Sequence, residues 1–306
     1  MRRQLAMLLL SGAIALLATA AHANTLNVRL VLSNSTSAYQ QFSVALKNTL
    51  AASKAAVNII ESKAGDPHQP EDGKQADLII AVGIKAVEDA ITNTEIPVLS
   101  VMLPKMAYET LLERRPPAQR TKSLSAIYLD QPWNRQMNFI QAALPKHSIV
   151  GLLYSPRSSI ILPRLPRGMS INAQSVRSAE TLFATLENVL NNSDVLLAIP
   201  DSEIYSSSNV RNILLTSYRM KVPLIGISQA YVNAGALCAV FSTPEQIGEQ
   251  AGEILVSFAR DRRLPEPQYP AFFSIGLNEP VAHSLGIELP SPEAIRERMN
   301  KAGEGR

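Results

Sequence analysis

Short apolar runs alternate along this chain with longer stretches in which apolar residues recur every three or four positions. The runs Leu26 to Leu32, Asp77 to Val82, Ile96 to Met102, Leu124 to Leu129, Ile149 to Tyr154, Val195 to Ile199, Val222 to Ile227 and Leu237 to Phe241 read as strands. Most lack polar alternation, the mark of strands covered on both faces, as parallel strands are. Between them, Phe42, Ala45, Leu46 and Leu50 share one helical face, as do Trp133, Met137, Ile140 and Leu144, and then Leu182, Leu186, Val189 and Leu190. Strand and helix take turns throughout, which predicts an α/β fold of parallel sheets with helices on both faces. About eight strands exceed what one mononucleotide-binding half needs, and the pattern restarts near Pro145. Two doubly wound parallel-sheet lobes are the expected solution.

Two helix starts set the register. Ser37-Ala38-Tyr39-Gln40 has capping-box spacing, and Thr243-Pro244-Glu245-Gln246 repeats it with proline at the first helical position. After the second, Ile247, Ala251, Ile254, Leu255 and Phe258 trace one face. Proline at 156, 163 and 166 argues against a helix over residues 155–168.

The start of the chain is organised differently. Arg2 and Arg3 precede an apolar run from Leu5 to Ala18, and Ala21-His22-Ala23 follows. A basic start, a short apolar core and a small-residue site predict a secretory signal peptide cut after Ala23. The run is shorter than the ~20 residues a bilayer span requires, so no stable membrane insertion is expected. The expected product is a soluble periplasmic protein starting at Asn24. Its net charge falls from +3 to +1 once Arg2 and Arg3 are gone, and no basic patch suggests nucleic acid. One cysteine, Cys238, leaves no internal disulfide, so core burial must hold a chain with 46% hydrophobic residues.

In doubly wound sheets ligands sit outside the carboxyl ends of the strands, where loops enter helices. That rule selects Ser33, Asn34, Gly83, Lys85, Ser155, Asp201, Ser228 and Gln229 as candidate ligand contacts. Tyr39 and Tyr231 are candidate aromatic walls, with ordinary packing as the competing reading. Gly83 fits an anion cradle or a tight turn, and Asp201 fits a ligand contact or a helix cap. Gly226-Ile227-Ser228-Gln229-Ala230 approaches a nucleophile elbow but lacks the final glycine, so a secreted serine hydrolase using Ser228 is the competing class of function. Asp66, His68, Glu71 and Asp72 crowd one segment without a second histidine at ligand spacing, and Pro67, Pro70 and Gly73 mark it as a turn. Neither a metal nor a cofactor is expected.

The second half is similar to a known family through Asp194-Val-Leu-Leu-Ala-Ile-Pro-Asp201, Lys221-Val-Pro-Leu-Ile-Gly226, Gly235-Ala236, Thr243-Pro-Glu-Gln-Ile-Gly248 and the stretch from Asn278 to Pro290. Ala76-Asp77-Leu-Ile-Ile-Ala-Val-Gly83 and Ile96-Pro97 extend the likeness into the first half. The chain thus resembles the type I periplasmic binding proteins, in particular the poorly characterised branch of ABC-transporter substrate-binding proteins. That resemblance implies two lobes joined by three crossovers near Asp130, Ser242 and Phe272, closing on a small organic ligand by a hinge. Residues 24–130 with 243–271 would form one lobe and 131–242 with 272–290 the other, leaving 291–306 as a tail. The implied partner is a transporter permease, or alternatively a membrane sensor kinase or cyclase. Where relatives often carry Asp-Pro, in the segment after Met102, this chain has Leu103-Pro104-Lys105, so no relative's ligand transfers to it.

Overall fold

The computed structural model describes residues 25–66, 75–93, 95–114, 123–158 and 165–303, so the expected signal segment lies outside the described residues. Two sheets organise them. The first has strand order β2-β1-β3-β4-β5, with β1 Leu26–Leu32, β2 Val57–Lys63, β3 Leu78–Val82, β4 Val98–Leu103 and β5 Leu124–Tyr128, all parallel. Helices α1 (Ser37–Ser53), α2 (Ile84–Asn93) and α3 (Lys105–Glu113) follow β1, β3 and β4.

The second sheet has order β11-β10-β9-β8-β6-β7, with β6 Ile149–Tyr154, β7 Ser170–Ser175, β8 Val195–Leu197, β9 Leu224–Gly226, β10 Cys238–Phe241 and β11 Ser274–Leu277. Helix α4 (Trp133–Ala143) precedes this sheet in the chain. Then α5 (Leu182–Asn191), α6 (Val210–Arg219) and α7 (Gln229–Ala234) fall between its strands. The expected stripes on α1, α4 and α5 face the core, with Phe42, Leu46, Met137, Ile140 and Leu186 wholly buried.

Three passages link the sheets. Residues 129–132 lead from β5 to α4, residues 242–243 lead from β10 into α8 (Pro244–Asp261), and residues 262–273 return to β11. Although α8 follows the second sheet, it packs on α1 in the first lobe. Ile247, Ala251, Leu255 and Phe258 join Phe42, Leu46 and Leu50 there. Glycine permits the contact: a Cβ on Gly248 would lie 2.6 Å from the Phe42 carbonyl oxygen, and one on Gly252 would lie 2.7 Å from Thr49 Cβ. A glycine inside a helix costs about 1 kcal/mol against alanine, which the close packing here offsets.

Four expectations are corrected. The second sheet is not wholly parallel, because β11 pairs antiparallel with β10. Its chain enters from the crossover at the carboxyl end of β10, where Phe241 faces Ser274, and with no crossover helix it can only run back. Residues 291–306 are not simply a tail. After α9 (Glu279–Leu285), helix α10 (Pro292–Lys301) is capped by Ser291 and buries Ile295 and Met299 in the second lobe's core. Ser37 does not cap α1, whose N-cap is Thr36 without a side-chain bond. Finally, β2 and β7 are strands that the pattern did not suggest, because both lie at sheet edges with largely polar or half-exposed residues. The Thr243 capping box forms as expected, and no helix occurs among the described residues of 155–168.

Candidate functional site

All three crossovers leave from the carboxyl ends of the strands. Residue 129 follows β5, residue 242 follows β10, and Gln268 pairs parallel beside β5 before the chain reaches β11. The strand ends selected from the sequence therefore flank the hinge in both lobes.

In the first lobe, Ser33, Tyr39 and Gly83 come together. Gly83 has φ +82, and a Cβ there would meet the Tyr39 hydroxyl at 2.3 Å and Ser33 Oγ at 2.8 Å. Only glycine suits that left-handed turn beneath a phenol. Ser33 Oγ accepts from the Ala86 amide at 2.9 Å, so a side chain just past the end of β1 caps the start of α2. Burial raises the pKa of Tyr39 and keeps the phenol protonated. Asn34 is exposed and accepts from the Thr36 amide at 3.1 Å, while Lys85 stands exposed in the first turn of α2.

In the second lobe, Asp201 is 1% exposed. Its carboxylate accepts from the Ser155 amide at 2.8 Å, the Glu203 amide at 3.0 Å and the Ser158 hydroxyl. Burial alone would raise its pKa, but the Ser158 hydroxyl, the Ser155 amide and further donors hold it below the usual carboxylate range. Asp201 caps no helix, since the next helix begins only at Val210; it caps a turn through the Glu203 and Ile204 amides, and its bonds stay within the lobe and fix the loops after β6 and β8. Ser155, also 1% exposed, belongs to the same clamp. Tyr231 is half-buried over Gly226, where a Cβ would meet Tyr231 Cβ at 2.5 Å, and its hydroxyl reaches the Tyr205 carbonyl at 3.4 Å. Burial pushes its pKa up to about 12. Gln229 is exposed and bonds Asn233 Oδ1 at 2.9 Å, and Ser228 begins α7 as its N-cap.

Sequence reasoning missed the residues between the lobes. Gln131 Nε2 donates to Ser242 Oγ at 2.9 Å, Arg135 Nη1 donates to Gln131 Oε1 at 2.7 Å and to the Pro270 carbonyl at 2.8 Å, and Ser242 Oγ donates to the Phe272 carbonyl. Lys105 was also missed. Its amide donates to Asp130 Oδ2 at 2.6 Å, and its ammonium lies 6.0 Å and 5.6 Å from the ring centres of Tyr128 and Tyr269. Burial opposes the charge on Lys105, but Tyr269 and Glu109 outweigh it and raise its pKa. Gln250, Glu253, Ile254, Gln268 and Ala271 border an open groove of about 420 Å³ between α8 and the third crossover. No periodicity in the sequence distinguishes these polar residues from solvated ones.

A family described as ABC transporter substrate binding protein matches residues 72–260, more than half of the chain. The chain belongs to this family. No curated protein sequence matches it. Among solved structures it is similar to a conserved domain protein from Vibrio cholerae O1 biovar eltor, with a TM-score of 0.58 at 17% identity over 90% of this chain and 98% of that one. The ligand-free, open CD0873 of Clostridium difficile, a substrate-binding protein with adhesive properties, superposes with a TM-score of 0.63 at 16% identity over 88% and 97%. An ABC domain from Streptococcus pneumoniae in complex with L-Trp gives 0.55 at 16% over 89% and 98%. These likenesses establish the shared two-lobed α/β fold.

This ABC-transporter substrate-binding protein does not favour the hydrolase reading. Ser228 lies at the carboxyl end of β9, whereas His147 precedes β6 and His283 follows β11. Both described histidines therefore sit at the other end of the second sheet, out of reach of Ser228 as a general base. Among the described residues no group of His, Cys, Asp and Glu could hold a metal ion, and His68, Glu71 and Asp72 lie outside them. None of the described helices is long and apolar enough to cross a membrane.

Proposed function

We propose that this protein captures a small organic ligand between its lobes in the periplasm and delivers it to the permease of an ABC-type transporter, without catalysing a reaction. The observation that carries the reading is that all three crossovers join the carboxyl ends of the two sheets, which makes the strand-end loops of one lobe face those of the other. The lobes comprise residues 24–130 with 243–271, and 131–242 with 272–290 extended by α10. Ser33, Asn34, Tyr39, Gly83 and Lys85 line one wall, and Ser228, Gln229 and Tyr231 the other. Ser155 and Asp201 hold the second wall in place from beneath. Two phenols with exposed amides and hydroxyls suit a ligand with an apolar or aromatic body and several hydrogen-bonding groups.

A thermal-shift screen of protein starting at Asn24 against amino acids, sugars, nucleosides, organic acids and aromatic compounds tests the reading. A ligand at ~100 times its dissociation constant adds ~2.7 kcal/mol of stability. Small-angle scattering should then show a smaller radius with ligand bound. A panel without a single stabilising compound, or a hit consumed by turnover, would overturn the proposal. Finding Met1 intact on exported protein would overturn the location.

A further inference from the structure

We infer that the peptide group joining Pro270 to Ala271 is the pivot of the third crossover, and that Arg135 and Gln250 are the positioning residues that hold it. The two ends of this one peptide are gripped from different lobes. Its carbonyl accepts from Arg135 Nη1 at 2.8 Å, and Arg135 stands on α4 in the second lobe. Its N–H donates to Gln250 Oε1 at 2.8 Å, and Gln250 stands on α8 in the first lobe. Both side chains are nearly sealed from water, Arg135 at 9% exposure and Gln250 at 4%.

Sealing makes both bonds costly to break. A buried donor or acceptor that loses its partner costs more than the bond contributes when made. Neither lobe can therefore release the peptide cheaply, and relative motion of the lobes is directed into rotation about it.

The neighbouring bonds divide at the same place. On the first-lobe side, Gln250 Nε2 also reaches the Tyr269 carbonyl at 3.4 Å, and Gln268 exchanges backbone bonds with Ala126 and Tyr128. On the second-lobe side, Arg296 of α10 donates to the Phe273 carbonyl at 3.1 Å, and the Arg135 and Arg296 guanidinium groups lie 4.8 Å and 4.6 Å from the Phe273 ring centre. The segment up to Tyr269 moves with one lobe and Phe273 with the other. The first crossover divides alike, with Asp130 bonded to Lys105 of the first lobe and Gln131 bonded to Arg135 of the second.

The inference rests on capture between the lobes only for its effect on affinity. Its test uses ligand-free full-length protein, so an empty ligand screen leaves it readable. Spin labels on Gln41→Cys and Ser207→Cys, both exposed and on opposite lobes, report the inter-lobe distance, while buried Cys238 stays unlabelled. The unaltered hinge should give one narrow distribution. Gln250→Ala and Arg135→Met should each lose it, whereas Glu249→Ala, an exposed change on the same helix, should retain it. A folded Gln250→Ala or Arg135→Met protein with the original distribution would overturn the assignment, as would loss of the narrow distance in Glu249→Ala. Hydrogen exchange of the Ala271 amide in the unmutated protein needs no variant. Protection like that of helix amides is expected, and exchange at the rate of an open loop would overturn the pivot.

Discussion

Gln131 and Ser242 meet across 111 residues of sequence, with Gln131 Nε2 donating to Ser242 Oγ at 2.9 Å where the first and second crossovers run side by side. Both are buried, and each also bonds a third partner, Arg135 for Gln131 and the Phe272 carbonyl for Ser242. Members of such a network depend on one another. Gln131→Ala and Ser242→Ala should each cost about 1 to 3 kcal/mol, and the double variant clearly less than the sum of the two. Urea unfolding of the three variants measures the coupling. Additive costs would mean that the two crossovers act independently.

Asp201→Asn should destabilise the protein by about 1 to 3 kcal/mol near neutral pH, since in either orientation its amide group presents a donor to donors, either the Ser155 amide and Ser158 hydroxyl or the Glu203 amide. The pH dependence identifies the cause. A carboxylate with a lowered folded-state pKa contributes stability that is complete above the unfolded value, about 3.9, and disappears as pH falls through the folded value. The gap between parent and Asp201→Asn should therefore be largest above about pH 5 and shrink in stronger acid. Denaturation series at several pH values check this, and a gap independent of pH would exclude the carboxylate as its source.

Gly248→Ala should destabilise although alanine is the better helix former. Its methyl would sit 2.6 Å from the Phe42 carbonyl oxygen, a backbone atom that cannot swing away. A cost of about 1 to 3 kcal/mol follows from overpacking, against a gain of about 1 kcal/mol from helix propensity. A rise in melting temperature would show that α1 and α8 can separate freely.

Met299→Ala should cost about 2 to 5 kcal/mol, the range for emptying a fully buried site. Met299 and Ile295 are wholly buried against the second lobe, and Arg298 Nη1 donates to the Ala142 carbonyl at 2.8 Å. Removing residues 291–306 should be worse still. Calorimetry of either variant decides whether this helix is a structural part of the lobe.

Tyr39→Phe tests the first wall of the proposed cleft separately from the fold. The ring keeps its packing over Gly83, so melting temperature should change little, while a ligand that uses the phenol should bind about tenfold more weakly. Calorimetric titration with the screen's best hit reads the difference, and unchanged affinity would remove the Tyr39 hydroxyl from the site.

Much of the scaffold is legible in the sequence. The run at Ile149 to Tyr154 coincides with β6 because a strand covered on both faces is continuously apolar, and Leu26 to Leu32 coincides with β1 although Asn27 and Arg29 interrupt its apolar residues. The Thr243 box was readable because both of its partners lie within four residues. At Ser37 the same spacing failed, since the helix begins one residue earlier than a Ser37 cap would require. The edge strands β2 and β7 escaped notice because an edge pairs on one side only and tolerates polar residues there.

The sequence by itself determined the alternation of strand and helix and two lobes rather than one. These follow from apolar periodicity and local capping, which act between residues close in the chain. Only the tertiary structure decided that Asp201 is spent on Ser155 and Ser158, that α8 crosses over to pack on α1, that β11 runs backwards and that α10 closes the second core. It alone brought Gln131, Arg135, Ser242 and Gln250 to the three crossovers. Those outcomes depend on partners from 21 to more than a hundred residues apart, and a buried polar side chain looks like a solvated one until the fold supplies the groups that satisfy it.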